Sequence, residues 1–260
     1  MIQALAVEKL KVKIFASRKE MGRNAGQSVA EEMRRGLEVK ENLSVVFASA
    51  PSQNEFLEEL SESRGISWNR VTVFHLDEYV GLSSNAPESF GHFLAVKLFQ
   101  KVDPGKVYYL NGTAADLEGE CKRYADLLRK YPLDIACIGI GENGHLAFND
   151  PPFADFQDPL PVKVVELDFV SRQQQVRDGC FRSLQEVPRR AITLTLPTIL
   201  SARSITCMVP ARSKAQAVRR TLQGPVSTDC PATILRRHDH AVLFLDRDSA
   251  ELLAPAQTGE

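Results

Sequence analysis

The segment Ile135–Asp150, IACIGIGENGHLAFND, gives the clearest indication of the fold class. Its first six residues form a continuously apolar run, and a turn rich in glycine follows them. Such runs are typical of strands that are buried on both faces of a parallel sheet. Seven other short apolar runs rich in Val and Ile occur along the chain: Leu10–Phe15, Leu43–Phe47, Val71–Leu76, Val107–Leu110, Ala191–Leu196, Ile205–Val209 and Ala241–Leu245.

Segments with helical periodicity lie between these runs, among them Asn54–Glu62, Glu88–Gln100 and Ala115–Lys130. Alternating strands and helices predict an α/β fold in which right-handed crossovers connect the strands. We therefore expect a doubly wound, Rossmann-like, mainly parallel sheet with helices on both faces. The segment Pro151–Pro161 contains four prolines and is predicted to be a long loop. Because no repeat or low-complexity linker is present, residues 1–260 are expected to form a single domain.

The composition argues against several classes of protein. The chain has 260 residues, with 32 Lys+Arg and 33 Asp+Glu, so its net charge of −1 argues against nucleic acid as a partner. No stretch approaches the roughly 20 apolar residues of a membrane span, and charged residues interrupt any N-terminal signal peptide. The five cysteines are far apart, odd in number and without a CxxC pair, which argues against a disulfide framework or a zinc site. We expect a cytoplasmic protein with no membrane partner.

Open α/β sheets bind ligands beyond the carboxyl ends of their strands, so the turns after the strands are the first places to search. The hexapeptide Phe74–Tyr79, FHLDEY, runs from an apolar strand into two carboxylates, Asp77 and Glu78. A carboxylate beside an apolar pocket can have a raised pKa and act as a general base. An acidic loop that caps the next helix is an equally good interpretation of this hexapeptide alone. His75 is expected to pack in the interior.

The turn Gly139–His145 matches G-x-G-x-x-G at residues 139, 141 and 144. A dinucleotide site is disfavoured, because prolines occupy the region where its crossover helix would lie. The glycines, Gly144 among them, instead predict a tight turn that lets a ligand approach the backbone. His145 follows the turn directly, with Asp150 shortly after it. A lone histidine is more often structural, but this position favours a functional one.

Two further strand ends carry groups that suit an anion. Pro210–Lys214 precedes a helical run and supplies a serine and a lysine, and Ser49–Ser52 follows another strand in the same way. Hydroxyl and amide groups at a helix N-terminus suit a phosphate, although helix capping by serine is the simpler interpretation of each. Taken together, the strand ends predict a small phosphorylated ligand above a carboxylate and a histidine.

Three motifs resemble the glucosamine-6-phosphate deaminase/isomerase family. They are LDEYVGL (76–82), PESF (87–90) and GIGENGHLAFNDP (139–151), with further matches at LDFVSR (167–172), VPRRAITLTLPTIL (187–200) and SKA (213–215). The resemblance covers roughly residues 10–250. The sister family of 6-phosphogluconolactonases shares the fold, but it typically has arginine in place of Tyr79 and Thr-Ala-Ser in place of residues 146–148. These two positions favour the deaminases.

The resemblance implies that an amino-sugar 6-phosphate, of glucosamine or galactosamine, reacts with water to give a ketose 6-phosphate and ammonia, with no metal or cofactor. It implies that Asp77 is the general base and that His145 assists ring opening, with Asp150 as its carboxylate partner. The remaining residues of the implied site are Asn143 beside the histidine and, for the substrate and its phosphate, Ser49, Ser52, Gly144, Arg177 and Lys214. A homo-oligomer is left open.

Three positions depart from the family pattern. Asn143 occupies the position of an aspartate, Asp150 that of a glutamate, and Pro51 interrupts the usual glycine-rich phosphate turn. They indicate a divergent subfamily with a shifted sugar preference or a low rate. Two alternatives remain open: a phosphosugar lactonase in which His145 activates water, and a non-catalytic sugar-phosphate sensor.

Overall fold

The computed structural model describes residues 1–151 and 153–253. Its strands are β1 (Gln3–Val7), β2 (Leu10–Phe15), β3 (Leu43–Phe47), β4 (Val71–His75), β5 (Asp77–Tyr79), β6 (Lys106–Tyr108), β7 (Ile135–Ile138), β8 (Val162–Glu166), β9 (Arg190–Leu194), β10 (Ser204–Val209) and β11 (Ala241–Asp246). Its helices are α1 (Arg18–Val39), α2 (Asn54–Glu62), α3 (Phe90–Leu94), α4 (Gln100–Val102), α5 (Leu117–Lys130), α6 (Phe169–Arg177), α7 (Leu196–Leu200) and α8 (Ala215–Gln223). A π-helical turn, Ala95–Phe99, joins α3 to α4.

The main sheet has eight strands in the order β1-β2-β11-β10-β7-β3-β4-β6. All neighbours pair in parallel except β1, which is antiparallel to β2 at one edge. Helices α1 and α2 bury Met33 and Phe56 in the core cluster of one face, whereas α5 and α8 bury Tyr124 and Val218 in that of the other. The predicted doubly wound parallel sheet is confirmed.

A second, smaller sheet was not expected. Strands β5, β9 and β8 form an antiparallel sheet in that order, so the run Ala191–Leu196 does not belong to the parallel sheet. Its apolar residues are buried because Ile192 and Leu194 join the core of the main sheet, while Ala191 packs in an aromatic cluster with Tyr79. A strand that is buried on both faces has a continuous apolar run whether its sheet is parallel or antiparallel. The apolar pattern therefore does not distinguish a parallel from an antiparallel strand.

The helix predicted over Glu88–Gln100 begins later, at Phe90, because Ser89 is its N-cap and accepts a hydrogen bond from the backbone N–H of His92. Such a cap satisfies one of the free N–H groups of the first turn. The described residues of Pro151–Pro161 form turns and irregular structure, as predicted for this loop. Over residues 1–151 and 153–253, no helix combines the length and apolar character needed to cross a membrane.

Candidate active site

A cleft of about 530 Å³ opens at the carboxyl ends of β3, β4, β7 and β10. The turns after these strands supply most of its lining, which is the location that the topology of an open α/β sheet favours. The polar groups predicted from separate turns line this one cleft: Ser49, Ser52, Asp77, His145 and Lys214. The other predicted site residues, Asn143, Gly144, Asp150 and Arg177, lie outside the lining.

Asp77 is the first residue of β5 and is only 7% exposed. The cleft surrounds it with the apolar side chains of Leu76, Phe90 and Phe148. Among the described residues, none donates a hydrogen bond to its carboxylate. Burial, and then the negative charge of Glu78, raise the pKa of Asp77 well above its usual range. Asp77 therefore holds a proton more readily than an ordinary aspartate.

Glu78 has a different role from its neighbour. Its carboxylate accepts hydrogen bonds from Ser89 Oγ at 2.7 Å and from the backbone N–H groups of Phe90 and Gly91 at 3.1 and 2.9 Å. These contacts satisfy the N-terminus of α3. The two interpretations of the acidic pair thus apply to different residues: Glu78 caps a helix, and Asp77 is available to a ligand.

His75 packs in the interior and supports the strand end that carries Asp77. Its Nε2 lies 2.9 Å from the backbone N–H of Leu110, so Nε2 accepts a hydrogen bond and the proton of the neutral ring is on Nδ1. That Nδ1–H donates to the backbone carbonyl of Asp77 at 2.8 Å. Burial lowers the pKa of His75, which favours this neutral form. The sequence indicated the packing but not the contact with Asp77.

His145 is held by a carboxylate and a hydroxyl. Its Nδ1 lies 2.9 Å from Asp150 Oδ1 and 2.9 Å from Ser171 Oγ. The Ser171 hydroxyl also donates to Asp150 Oδ1, which accepts a second hydrogen bond from Asn143 Nδ2 at 2.9 Å. Burial by itself raises the pKa of Asp150, but the charge of His145 and these hydrogen bonds lower it to about 2. Asp150 is therefore a stable carboxylate.

Two positions in the turn Gly139–His145, which we call the histidine turn, require glycine for different structural reasons. A Cβ on Gly141 would lie 2.0 Å from His145 Nε2, so the turn leaves room for the imidazole only because residue 141 has no side chain. Gly144 has a φ of +92°, and a Cβ there would lie 2.4 Å from Cys230 Sγ. Gly141 faces the cleft, whereas Gly144 holds the turn against the 3₁₀ segment Pro231–Arg237 through its carbonyl and the N–H of Ala232.

The cleft lining also contains a buried cation. Lys214 ends the 3₁₀ turn Arg212–Lys214 before α8 and is only 5% exposed. In the described ranges, neither its Nζ nor Ser49 Oγ has a hydrogen-bond partner. Burial lowers the pKa of Lys214, which reflects the cost of holding its charge there without a counter-ion. An anion bound in the cleft beside Lys214 would supply the missing partner.

Arg177, the second predicted cation, is turned toward another group. Its side chain is 48% exposed and forms an ion pair with Glu142 of the histidine turn.

Pro51, which departs from the family pattern, begins a 3₁₀ turn, Pro51–Gln53. It lies at a position where a helix can do without the N–H that proline lacks.

Helix α6 contributes three residues that the sequence did not single out as site residues. Gln174 and Gln175 line the cleft, and Ser171 contacts the histidine. Positions 171, 174 and 175 share one face of a helix, so a buried polar stripe at this spacing was the signal that could have identified them.

Within residues 1–151 and 153–253, no group of three or more His, Cys, Asp or Glu side chains could hold a metal ion.

Comparisons with known proteins agree on one family. The family described as "Glucosamine-6-phosphate isomerases/6-phosphogluconolactonase" matches residues 16–244. A glucosamine-6-phosphate deaminase of Bacillus cereus (strain B4264) is 35% identical over 238 residues, which cover 91% of this chain and 87% of that protein. A glucosamine-6-phosphate deaminase of Bacillus thuringiensis (strain Al Hakam) is 36% identical over 238 residues, which again cover 91% of this chain and 87% of that protein.

Solved structures give the same result. A monomeric glucosamine-6-phosphate deaminase superposes with a TM-score of 0.86 at 32% identity, covering 93% of this chain and 99% of that one. A 6-phosphogluconolactonase from Thermotoga maritima has a TM-score of 0.75 at 19% identity, covering 92% and 100%. At that identity the second likeness concerns the fold alone.

Proposed function

The chain belongs to the glucosamine-6-phosphate isomerase/6-phosphogluconolactonase family, and from this premise we propose that it is an amino-sugar-phosphate deaminase. It would convert glucosamine 6-phosphate or galactosamine 6-phosphate, with water, into a ketose 6-phosphate and ammonia. One observation carries the proposal: Asp77, a buried carboxylate with a raised pKa, lines the same cleft as His145 and the unpaired Lys214. The substrate would be held at its phosphate and react at the carbons near Asp77.

The phosphate would bind at the end of the cleft that contains Lys214 and Ser49. A buried ammonium and a buried hydroxyl without partners are suited to a phosphate oxygen, because each regains a hydrogen bond when the anion enters. Binding the phosphate away from the reacting carbons orients the sugar over the other end of the cleft. This contact would act equally in the ground state and the transition state.

His145 would open the sugar ring. Its Nδ1 is engaged by Asp150 and Ser171, so Nε2 is the nitrogen that remains to accept a proton. It would remove the proton from the hydroxyl at C1 and return it to the ring oxygen as the C1–O5 bond breaks. The negative charge of Asp150 would stabilise the imidazolium that exists between these two steps.

Asp77 would then move a proton between adjacent carbons. As a carboxylate it removes the C2 proton, which the new aldehyde acidifies, while the C1 oxygen gains a proton from the C2 ammonium and an enolamine forms. As a carboxylic acid Asp77 then returns its proton to C1. The resulting C2 imine adds water and releases ammonia. A pKa raised by burial suits an aspartate that must hold the proton between the two transfers.

Ammonia release from the two amino-sugar phosphates tests the proposal, with hydrolysis of 6-phosphogluconolactone measured in parallel. We expect ammonia from at least one substrate, loss of this activity in Asp77→Asn, and its retention in Asp155→Asn, which makes the same change on an exposed loop. Lactone hydrolysis without ammonia would overturn the proposal. So would tight phosphosugar binding without any turnover, the behaviour of a sensor.

The proposal treats residues 1–260 as one domain that acts on a small sugar phosphate in the cytoplasm. The scattered cysteines support a reducing compartment, and all five are free thiols in the structure. It leaves the oligomeric state open and includes no nucleic acid or membrane partner.

A further inference from the structure

We propose that Ser171 is a positioning residue of this active site, which acts by holding His145 and Asp150 in one fixed arrangement. The inference rests on the proposed function for its catalytic consequence, although its structural part can be tested alone. Ser171 is 0% exposed and lies on α6, outside the cleft lining. It would not touch substrate, so any effect on the rate must pass through the residues that it contacts.

The hydrogen atoms around Ser171 can be assigned from the chemistry of its partners. A carboxylate only accepts hydrogen bonds, so the hydroxyl proton of Ser171 points to Asp150 Oδ1. The Ser171 oxygen then accepts from the Nδ1–H of His145, 2.9 Å away. The hydroxyl and Asp150 Oδ1, each 2.9 Å from Nδ1, therefore both favour the tautomer with the proton on Nδ1, and the hydroxyl also supplies the carboxylate with one of its donors. Both effects keep the lone pair of Nε2 directed away from this cluster.

The position of Ser171 depends on how α6 packs against the histidine turn. Three residues after Ser171, the Oε1 atom of Gln174 accepts a hydrogen bond at 2.9 Å from the backbone N–H of Glu142. At the start of the helix, Asp168 caps α6 by accepting from the N–H of Val170. Asp168 supports the same helix, but within the described part of the chain it forms no hydrogen bond or ion pair with His145 or Asp150. It therefore offers a matched control for effects that arise only from the stability of α6.

The kinetic test is a double-mutant cycle between Ser171→Ala and Asp150→Ala, with Asp168→Ala as the control. We expect Ser171→Ala to lower kcat about 10- to 100-fold, by analogy with the loss seen when a group that orients a metal-bound histidine is removed. We expect KM to change less than about threefold, because Ser171 does not face the cleft. In the Asp150→Ala background, the same serine substitution should lower kcat less than about threefold, since coupled residues are not additive.

Equal effects of Ser171→Ala in both backgrounds would overturn the inference. A kcat loss matched by Asp168→Ala would also overturn it, because the serine would then only stabilise the helix.

A second measurement does not depend on turnover. In the free enzyme, the Nδ1–H proton of His145 should give a hydrogen-bonded NMR signal that His145→Gln removes. We expect Ser171→Ala to shift or broaden this signal and Asp168→Ala to leave it unchanged. An unchanged signal in Ser171→Ala would overturn the inference. An inactive wild-type protein would instead overturn the proposed function and leave the NMR result to decide the role of Ser171.

Discussion

Two aspartates of the candidate site, Asp77 and Asp150, are almost equally buried, but their pKa values are shifted in opposite directions. Asp77 is 7% exposed and Asp150 is fully buried. Asp77 has apolar neighbours, no donor to its carboxylate among the described residues, and a raised pKa. Asp150 has Ser171 and Asn143 as donors and His145 as a partner, and its pKa is about 2. Burial alone therefore does not determine the pKa of a carboxylate; the neighbouring charge and the hydrogen bonds that replace water decide the direction of its shift.

The opposite pKa shifts suit the two aspartates to different chemical roles. A group that transfers protons must gain and lose them within reach of the working pH, and Asp77 is moved toward that range. A group that orients a histidine must keep its charge throughout, which the lowered pKa of Asp150 ensures. The two surroundings thus support a proton-transfer role at one position and an electrostatic role at the other.

The largest expected effect is that of Asp77→Asn, which removes the proposed base and leaves a side chain of nearly equal size. We expect kcat to fall about 10²- to 10⁴-fold, the usual contribution of a general base. KM should stay within a few-fold, since the phosphate contacts are unchanged. Steady-state ammonia release measures both constants. A large rise in KM with kcat preserved would instead give Asp77 a binding role.

A smaller loss is expected for Asp150→Asn, because the proposed role of this residue is to act through His145. The amide keeps one acceptor oxygen but loses the charge that stabilises the imidazolium. We expect kcat to fall about 10- to 100-fold with little change in KM. The same ammonia assay applies, with Asp155→Asn as the exposed control. If Asp150→Asn were as severe as Asp77→Asn, the two aspartates would not differ in role as proposed.

The pH dependence of stability should have opposite signs at the two positions. The folded pKa of Asp150, about 2, lies below the ordinary value of 3.8, so its contribution is present above pH 3.8 and is lost as the pH falls through 2. The difference corresponds to about 2 kcal/mol. Urea unfolding of wild type and Asp150→Asn between pH 2 and pH 7 should show wild type losing this advantage on acidification.

Asp77 should give the reverse result. Its folded pKa is raised, so its ionisation destabilises the folded protein as the pH rises above 3.8. Asp77→Asn should therefore become more stable than wild type with increasing pH, and the difference should vanish in acid. Parallel curves for Asp77→Asn and wild type would mean that burial does not raise the pKa of Asp77.

The smallest expected loss of activity is that of His75→Gln. Glutamine can replace one of the two hydrogen bonds that fix the backbone at Asp77 and Leu110, but not both with the same geometry. We expect kcat to fall a few-fold and the free energy of unfolding to fall by about 1–3 kcal/mol, the cost of a buried polar group left without its partner. Kinetics and urea unfolding measure the two effects. An unchanged kcat would show that His75 does not position Asp77.

Much of this arrangement could be predicted from the sequence, because it follows from local pattern. The run Leu43–Phe47 and the helix Asn54–Glu62 have the predicted bounds, since burial periodicity and strand length are local properties. The sequence predicts Asp77 and His145 as site residues because each follows a strand of a parallel sheet, and that rule needs no distant contact.

The remaining features depend on contacts between distant segments. The pairing of Arg177 with Glu142 and the contact of Ser171 with His145 exist only because α6 packs against the histidine turn. The antiparallel sheet of β5, β9 and β8 likewise joins segments that are far apart in sequence. A single sequence contains no local signal for such pairings, so its apolar runs were assigned to the larger sheet.

The most direct test of the comparison is an NMR titration of the aspartate side-chain carboxyl carbons, with Asp77→Asn and Asp150→Asn used to assign the two signals. We predict that the Asp77 signal titrates well above pH 3.8 and that the Asp150 signal titrates near pH 2. Titration of both signals near pH 4, or of Asp77 below Asp150, would contradict the account.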